Sequence, residues 1–222
     1  MYDTAMYDFA FSFWSLLSTE RADLPGGRAL AHAEVPYLLS NAAWYPRPGE
    51  LKSVAEWYAA RDLPPALMVS GERDAAVERT LQEGPFKLEQ SFIFRPAEPM
   101  DASQNVVEQV SWAQTRYAGD LLAKFYGQLE LAVAISKSLT EIMQRNADVQ
   151  TFLAYEDEPV GTMVTFEQEN TLSSVLLLGS GGLEARLAQE ADARGLRAFV
   201  LEPLPAGTTF RSKRGLERWS IR

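Results

Sequence analysis

Leu172-Ser173-Ser174-Val175-Leu176-Leu177-Leu178 runs straight into Gly179-Ser180-Gly181-Gly182, and these glycines open onto Leu183-Glu184-Ala185-Arg186-Leu187-Ala188-Gln189-Glu190-Ala191-Asp192-Ala193. A short apolar run of this length reads as a buried strand, and the glycines as a tight strand-to-helix turn. Leu183, Leu187, Ala188 and Ala191 then recur at helical spacing, Gly195 stops the helix, and residues 196–201 form a second apolar strand. Strand, helix and strand in that order predict an α/β fold.

Working outward, residues 151–156 and 160–166 read as two strand arms around Asp157-Glu158-Pro159, with Pro159 implying a bend or an edge. Amphipathic helices are expected at residues 111–126 and 130–145, after a strand at 106–110. Residues 96–105 have linker composition and divide the chain into modules 1–98 and 106–222. In the first module the aromatics of residues 7–17 fall at helical spacing, which suits either a helix on a core or an acyl-binding lid. A turn at 24–27, an extended segment at 34–45 and a Pro/Gly turn at 45–49 follow. Then come a helix at 50–61, a strand at 66–69, a helix at 74–83 and a strand at 86–94. Residues 67–94 repeat the rhythm of 175–201, a weak internal duplication.

Composition excludes several chemistries. The chain has 222 residues, no cysteine, one histidine and a formal charge of −9. Thiolate nucleophiles, disulfides and sulfur-ligated metals are therefore absent. His32, in Ala31-His32-Ala33, has no other ligand type beside it and reads as a surface or hydrogen-bonded histidine. Neither half carries the cationic excess that phosphate neutralisation by a nucleic-acid module needs, so no nucleic acid is expected. The basic tail of Arg211, Lys213, Arg214, Arg218 and Arg222 reads as an edge strand protected by charge, or as a phosphate contact. No apolar run is long enough to cross a bilayer. The first Lys or Arg is Arg21, so no basic secretion signal is expected and the predicted location is cytoplasmic. The turn before residue 183 lacks the P-loop lysine and the Gly-x-Gly-x-x-Gly of dinucleotide folds.

Three stretches resemble the GNAT acyltransferases. Thr151-Phe152-Leu153-Ala154-Tyr155-Glu156-Asp157-Glu158-Pro159-Val160-Gly161 is similar to that family's paired central strands. Gly179 to Gly182 with the helix through Ala191-Asp192-Ala193-Arg194-Gly195 look like its pyrophosphate loop and helix. Leu81-Gln82-Glu83-Gly84-Pro85-Phe86 resembles its closing glycine-aromatic turn. The resemblance implies a GNAT-like mixed sheet flanked by helices, arranged as a tandem of a degenerate N-terminal module and a C-terminal acyl-CoA-binding core.

It also implies acetyl-CoA or another acyl-CoA as cofactor, bound by Leu176, Leu178, Gly179, Ser180, Gly181 and Gly182, with a small-molecule or peptide amine as acceptor. Two departures stand beside it. No basic residue lies between Arg145 and Arg186, and Tyr155 is the last tyrosine, so the family's general-acid tyrosine has no counterpart. Catalysis would then be direct amine attack on a thioester, with Glu156 or Glu202 as candidate base; Glu167 and Glu169 are the other acids near the cleft. The alternative is a catalytically inactive binding or oligomerisation protein. The slot for the pantetheine arm is expected where the strands on either side of Asp157 splay, and exposed aromatics in the first twenty residues would support a homodimer.

Overall fold

A computed structural model of the chain describes residues 3–35, 39–73, 75–98, 105–125, 127–179, 181–205, 208 and 214–221. The chain forms two compact units, residues 1–93 with 203–222, and residues 94–202. Ser180, Arg211, Lys213, Arg222 and linker residues 99–104 lie outside the described residues. The sequence divided the chain once, near residue 100, and gave residues 203–222 to the second module. The strand at residues 215–221 pairs with one at residues 66–70 of the first unit.

In the first unit, α1 (Asp3–Leu17) precedes the hairpin β1 (Glu20–Leu24) and β2 (Gly27–Ala31). β2 pairs antiparallel with β3 (Ala42–Trp44). The helix α2 (Leu51–Ala59) then crosses over to β4 (Ala66–Ser70), which runs parallel to β3. After α3 (Ala75–Glu83) comes β5 (Phe86–Pro96), whose residues from Phe94 onward belong to the second unit. The last strand of the chain, β11 (Gly215–Ile221), lies between β4 and β5 and is antiparallel to both. Val54, Tyr58, Leu67, Val69 and Leu81 form the core of this unit, with Trp57 and Trp219 packed against it.

The second unit runs β6 (Val106–Val110), α4 (Thr115–Phe125), α5 (Ala132–Arg145), β7 (Val149–Tyr155), β8 (Pro159–Gln168), β9 (Thr171–Leu178), α6 (Gly181–Ala193) and β10 (Arg197–Pro203). β6 to β9 pair antiparallel in sequence order, and β10 returns parallel to β9 after the α6 crossover. Phe152, Ala154 and Met163 pack on Leu183, Leu187 and Ala191 of α6. Thr151, on the other face of β7, reaches Met143 of α5, so the sheet is covered on both sides. Each unit thus has a mixed sheet flanked by helices.

Several expectations change. The tail strand is not an edge. β11 is paired on both sides, Glu217 is fully buried, and Arg218 is buried with it. Arg73 bonds Glu217 at 2.7 Å and Glu78 at 2.7 Å, Trp219 donates to Glu217 at 3.1 Å, and Arg218 pairs with Glu89. A buried charge is tolerable when partnered in this way.

Phe9, Phe13 and Trp14 of α1 are buried, the core role among the two expected for them. His32 is buried, and its Nδ1 accepts amides from Val35 at 3.1 Å and Glu34 at 3.3 Å, a hydrogen-bonded histidine as expected.

The internal repeat also shifts. β4 and β5 are separated by β11, so 67–94 does not correspond to 175–201. The matching topology is β1-β2-β3-α2-β4 and β7-β8-β9-α6-β10: two antiparallel steps, a helical crossover, then a parallel strand. Each crossover begins with a residue at positive φ, Tyr45 at 54° and Gly179 at 96°.

Candidate functional site

The parallel pair β9 and β10 is joined for only part of its length. Thr171 to Ser174 face Arg197 to Val200 in register, whereas the strands continue to Leu178 and Pro203. Ser173 Oγ donates to the Phe199 carbonyl at 3.0 Å and fastens the joined end. Where pairing stops, β9 carries a bulge: Val164 faces Leu176 and Thr165 faces Ser174, so Val175 has no β8 residue opposite. A bulge bends its strand and sharpens its twist, and this one lies where the β9–β10 pairing stops. Leu176, Leu177 and Leu178 are only half-buried beyond it. The unpaired ends of β9 and β10 form the candidate slot. β7 and β8, on either side of Asp157, stay paired from Val149–Phe166 to Tyr155–Pro159 and leave no slot; Pro159 instead coincides with a register shift between Ala154 and Tyr155.

At the end of β9 the chain turns at Gly179. A Cβ there would lie 2.7 Å from both the Val160 carbonyl oxygen and the Gly161 Cα, so β8 leaves no space for one. Glycine is required by this close approach as well as by φ. α6 begins at Gly181, and the first turn of any helix leaves amide hydrogens without intrahelical partners. Glu184 sits in that turn, buried. Its carboxylate takes Arg95 Nη1 and Nη2, the latter at 2.9 Å, and the Glu98 amide at 2.7 Å. Burial pushes the Glu184 carboxyl up, but the bonds from Arg95 and the Glu98 amide, with the guanidinium charge, bring it below the usual carboxylate range. Arg95 is raised in turn by its bonds to Glu184 and Glu202.

Among the predicted site residues, Leu176, Leu178, Gly179, Gly181 and Gly182 fall on one stretch of chain along and just beyond the slot. Glu202, at the end of β10, is paired with Arg95 Nε. Glu156 is exposed in the β7–β8 turn, where its amide bonds the Glu158 carbonyl at 3.2 Å. Glu167 pairs with Arg194, and Glu169 is exposed in the β8–β9 turn at φ 55°. Sequence reasoning missed Arg95, because its partners stand 89 and 107 residues away. No group of three or more His, Cys, Asp or Glu that could hold a metal is found among the described residues.

A corner with the same order of strand, crossover helix and parallel strand lies in the first unit. β3 pairs with β4 only at Ala43–Leu67 and Trp44–Met68. Just past that pair, Tyr7 from α1 fills the corner. Its hydroxyl donates to the Met68 carbonyl at 2.6 Å and accepts the Tyr45 amide at 2.9 Å, with Trp44 and Tyr45 rings 5.0 and 4.9 Å away. Burial raises the Tyr7 hydroxyl pKa far above its ordinary value, so it stays a neutral donor. Replacing Tyr7 with Phe should cost about 1–3 kcal/mol by orphaning two buried main-chain groups. Thermal unfolding should register the loss, while any ligand affinity of the second unit stays unchanged.

No family model matches the sequence, and no curated protein matches it. Solved structures do. A GCN5-related N-acetyltransferase from Kribbella flavida aligns over 100% of this chain and 96% of its own at 15% identity, with a TM-score of 0.66. A functionally unknown conserved protein from Staphylococcus epidermidis aligns over 96% and 97% at 12% identity, with a TM-score of 0.63. A GCN5-related N-acetyltransferase from Sphaerobacter thermophilus aligns over 82% and 73% at 13% identity, with a TM-score of 0.51. The chain has a GNAT-like fold. Within this GNAT-like fold, the resemblance read from residues 151–161 and 179–195 falls on β7, β8, the Gly179 turn and α6. The likeness to the Kribbella structure takes in both units.

Proposed function

We propose that the chain is an acyl-CoA-dependent N-acyltransferase, with one donor site in its second unit. The observation carrying this reading is the parting of β9 and β10 after Ser174 and Val200. Strand groups facing such a gap need partners, and a pantetheine arm, with two amides of its own, can supply them as an added strand would. The thioester carbonyl would lie near the Val175 bulge, where main-chain donors free of the sheet ladder favour developing negative charge. The diphosphate would meet the amides at the start of α6, at Gly181 and Gly182. Leu176 and Leu178 would line the arm.

The chemistry is then a neutral amine nitrogen attacking the thioester carbon. The carbon–sulfur bond breaks, CoA leaves as thiolate, and the proton lost by the amine passes through water to the thiolate. Glu202 is engaged by Arg95, so this reading gives it no task as a free base. Glu156, exposed in the β7–β8 turn, lies beyond the Gly179 end of β9 where the diphosphate is placed, not beside Val175, so this reading leaves the proton transfer to water. The acceptor is an amine of small-molecule or peptide type. The first unit is read as a divergent copy in which Tyr7 occupies the corresponding corner. No helix among the described residues is long and apolar enough to cross a membrane, and a cytoplasmic location is proposed with the reaction.

The engagement of Glu202 also favours a second reading, a GNAT-like protein that binds acyl-CoA without turning it over. Two measurements separate them. Acetyl-CoA at about a hundred times its dissociation constant should stabilise the chain by roughly 2.7 kcal/mol, seen as a rise in melting temperature. An amine panel should then release CoA thiol. Stabilisation without amine-dependent thiol supports the binding protein; no stabilisation at millimolar acetyl-CoA removes both.

A further inference from the structure

Arg95 joins the two sides of the slot. Its Nε donates to Glu202, at the end of β10, and its Nη1 and Nη2 donate to Glu184, in the first turn of the helix that follows β9. The Glu98 amide adds a further bond to Glu184 at 2.7 Å. Among the described residues the β9–β10 ladder does not reach these ends, its pairing ending at Ser174 and Val200.

We infer that Arg95 is a positioning residue, a crossbar that sets the width of the slot at its open end and keeps the first turn of α6 in place. This rests on the donor site proposed above. Two features fit the task. A guanidinium presents donors in a fixed fork, so it can hold two carboxylates at a set separation, which an ammonium on a flexible stem does less well. It also neutralises Glu184, whose buried negative charge would otherwise stand beside the α6 amides where a diphosphate is to bind.

The test compares the full-length chain with Arg95→Ala, Arg95→Lys and Glu184→Gln. Acetyl-CoA affinity is measured by calorimetry, and amide hydrogen exchange is followed without ligand at residues 200–202 and at residues 185–188, whose amides bond the carbonyls of the first turn of α6. Arg95→Ala should speed exchange in both segments together and weaken acetyl-CoA binding at least tenfold. Arg95→Lys should recover part of both. Glu184→Gln should speed exchange at 185–188, and in the Arg95→Ala background it should restore some affinity by removing the uncompensated charge. A merely structural ion pair would lower the melting temperature and leave the affinity of the folded protein, and its rescue by Glu184→Gln, unmoved. Unchanged exchange in either segment of Arg95→Ala overturns the crossbar. If the wild-type chain binds no acetyl-CoA, the donor site falls, and the exchange comparison still upholds or overturns the crossbar.

Discussion

Alanine in place of Gly179 should destabilise the second unit and abolish measurable acetyl-CoA binding. Two costs add. An L-residue at φ 96° carries strain of about 1–2 kcal/mol, and overpacking against an unyielding neighbour costs roughly 1–3 kcal/mol. The neighbour resists because the atoms 2.7 Å from the added carbon belong to the β8 main chain, at Val160 and Gly161, and Gly161 is held opposite Ala154 of β7. β8 cannot retreat without breaking its pairing, so the turn itself must lift. That shift moves Leu178 and the start of α6 together, which are the parts of the proposed donor site. Calorimetric titration with acetyl-CoA and thermal unfolding check the two halves of this expectation. A variant that unfolds at the wild-type temperature would show that the corner relaxes cheaply.

Truncating Glu217 to Ala should lower stability on the same scale as the Gly179 change. Its side chain is wholly buried, and it accepts from Arg73 and Trp219. Removing one partner of a buried ion pair costs about 3–5 kcal/mol, because the other charge is left in place. Arg73, itself only 4% exposed, would keep Glu78 and the Ser70 carbonyl, which favours the lower end. At roughly 2–4 °C per kcal/mol for a chain of this size, a fall in melting temperature of about 6–12 °C follows. The exposed Arg28–Asp23 pair, with side chains 56% and 88% accessible, gives the control: Arg28→Ala should change stability by well under about 1 kcal/mol through that pair.

Much of the second unit was legible because its signals are local. β6 falls on the expected residues 106–110, and β9, the Gly179 turn and α6 follow from an apolar run, glycines and a helical stripe. The slot was misplaced by one feature that sequence does not display. Whether strands part depends on register, and the bulge at Val175 leaves no mark in the run Ser174-Val175-Leu176.

The first unit was harder. β1, Glu20-Arg21-Ala22-Asp23-Leu24, is mostly exposed and lacks the apolar alternation that announces a strand. β11 was read as an edge from its cations, yet Glu217 and Arg218 meet Arg73 and Glu89 from strands and loops far away in the chain. The pairing of a charge is a tertiary fact, and only its partner turns a solvated tail into a central strand. Tyr7 is the same case: an aromatic in an apolar helix gives no sign that its hydroxyl will bridge Tyr45 and Met68.

The central claim is that the opening between β9 and β10 is the single donor site of the chain. Amide hydrogen exchange with and without saturating acetyl-CoA tests it most directly. Protection should appear at residues 175–178 and 181–184, with residues 44–45 and 67–69 unaltered. Protection confined to the Trp44–Tyr45 corner, or none at residues 175–184 at saturating acetyl-CoA, would contradict the account.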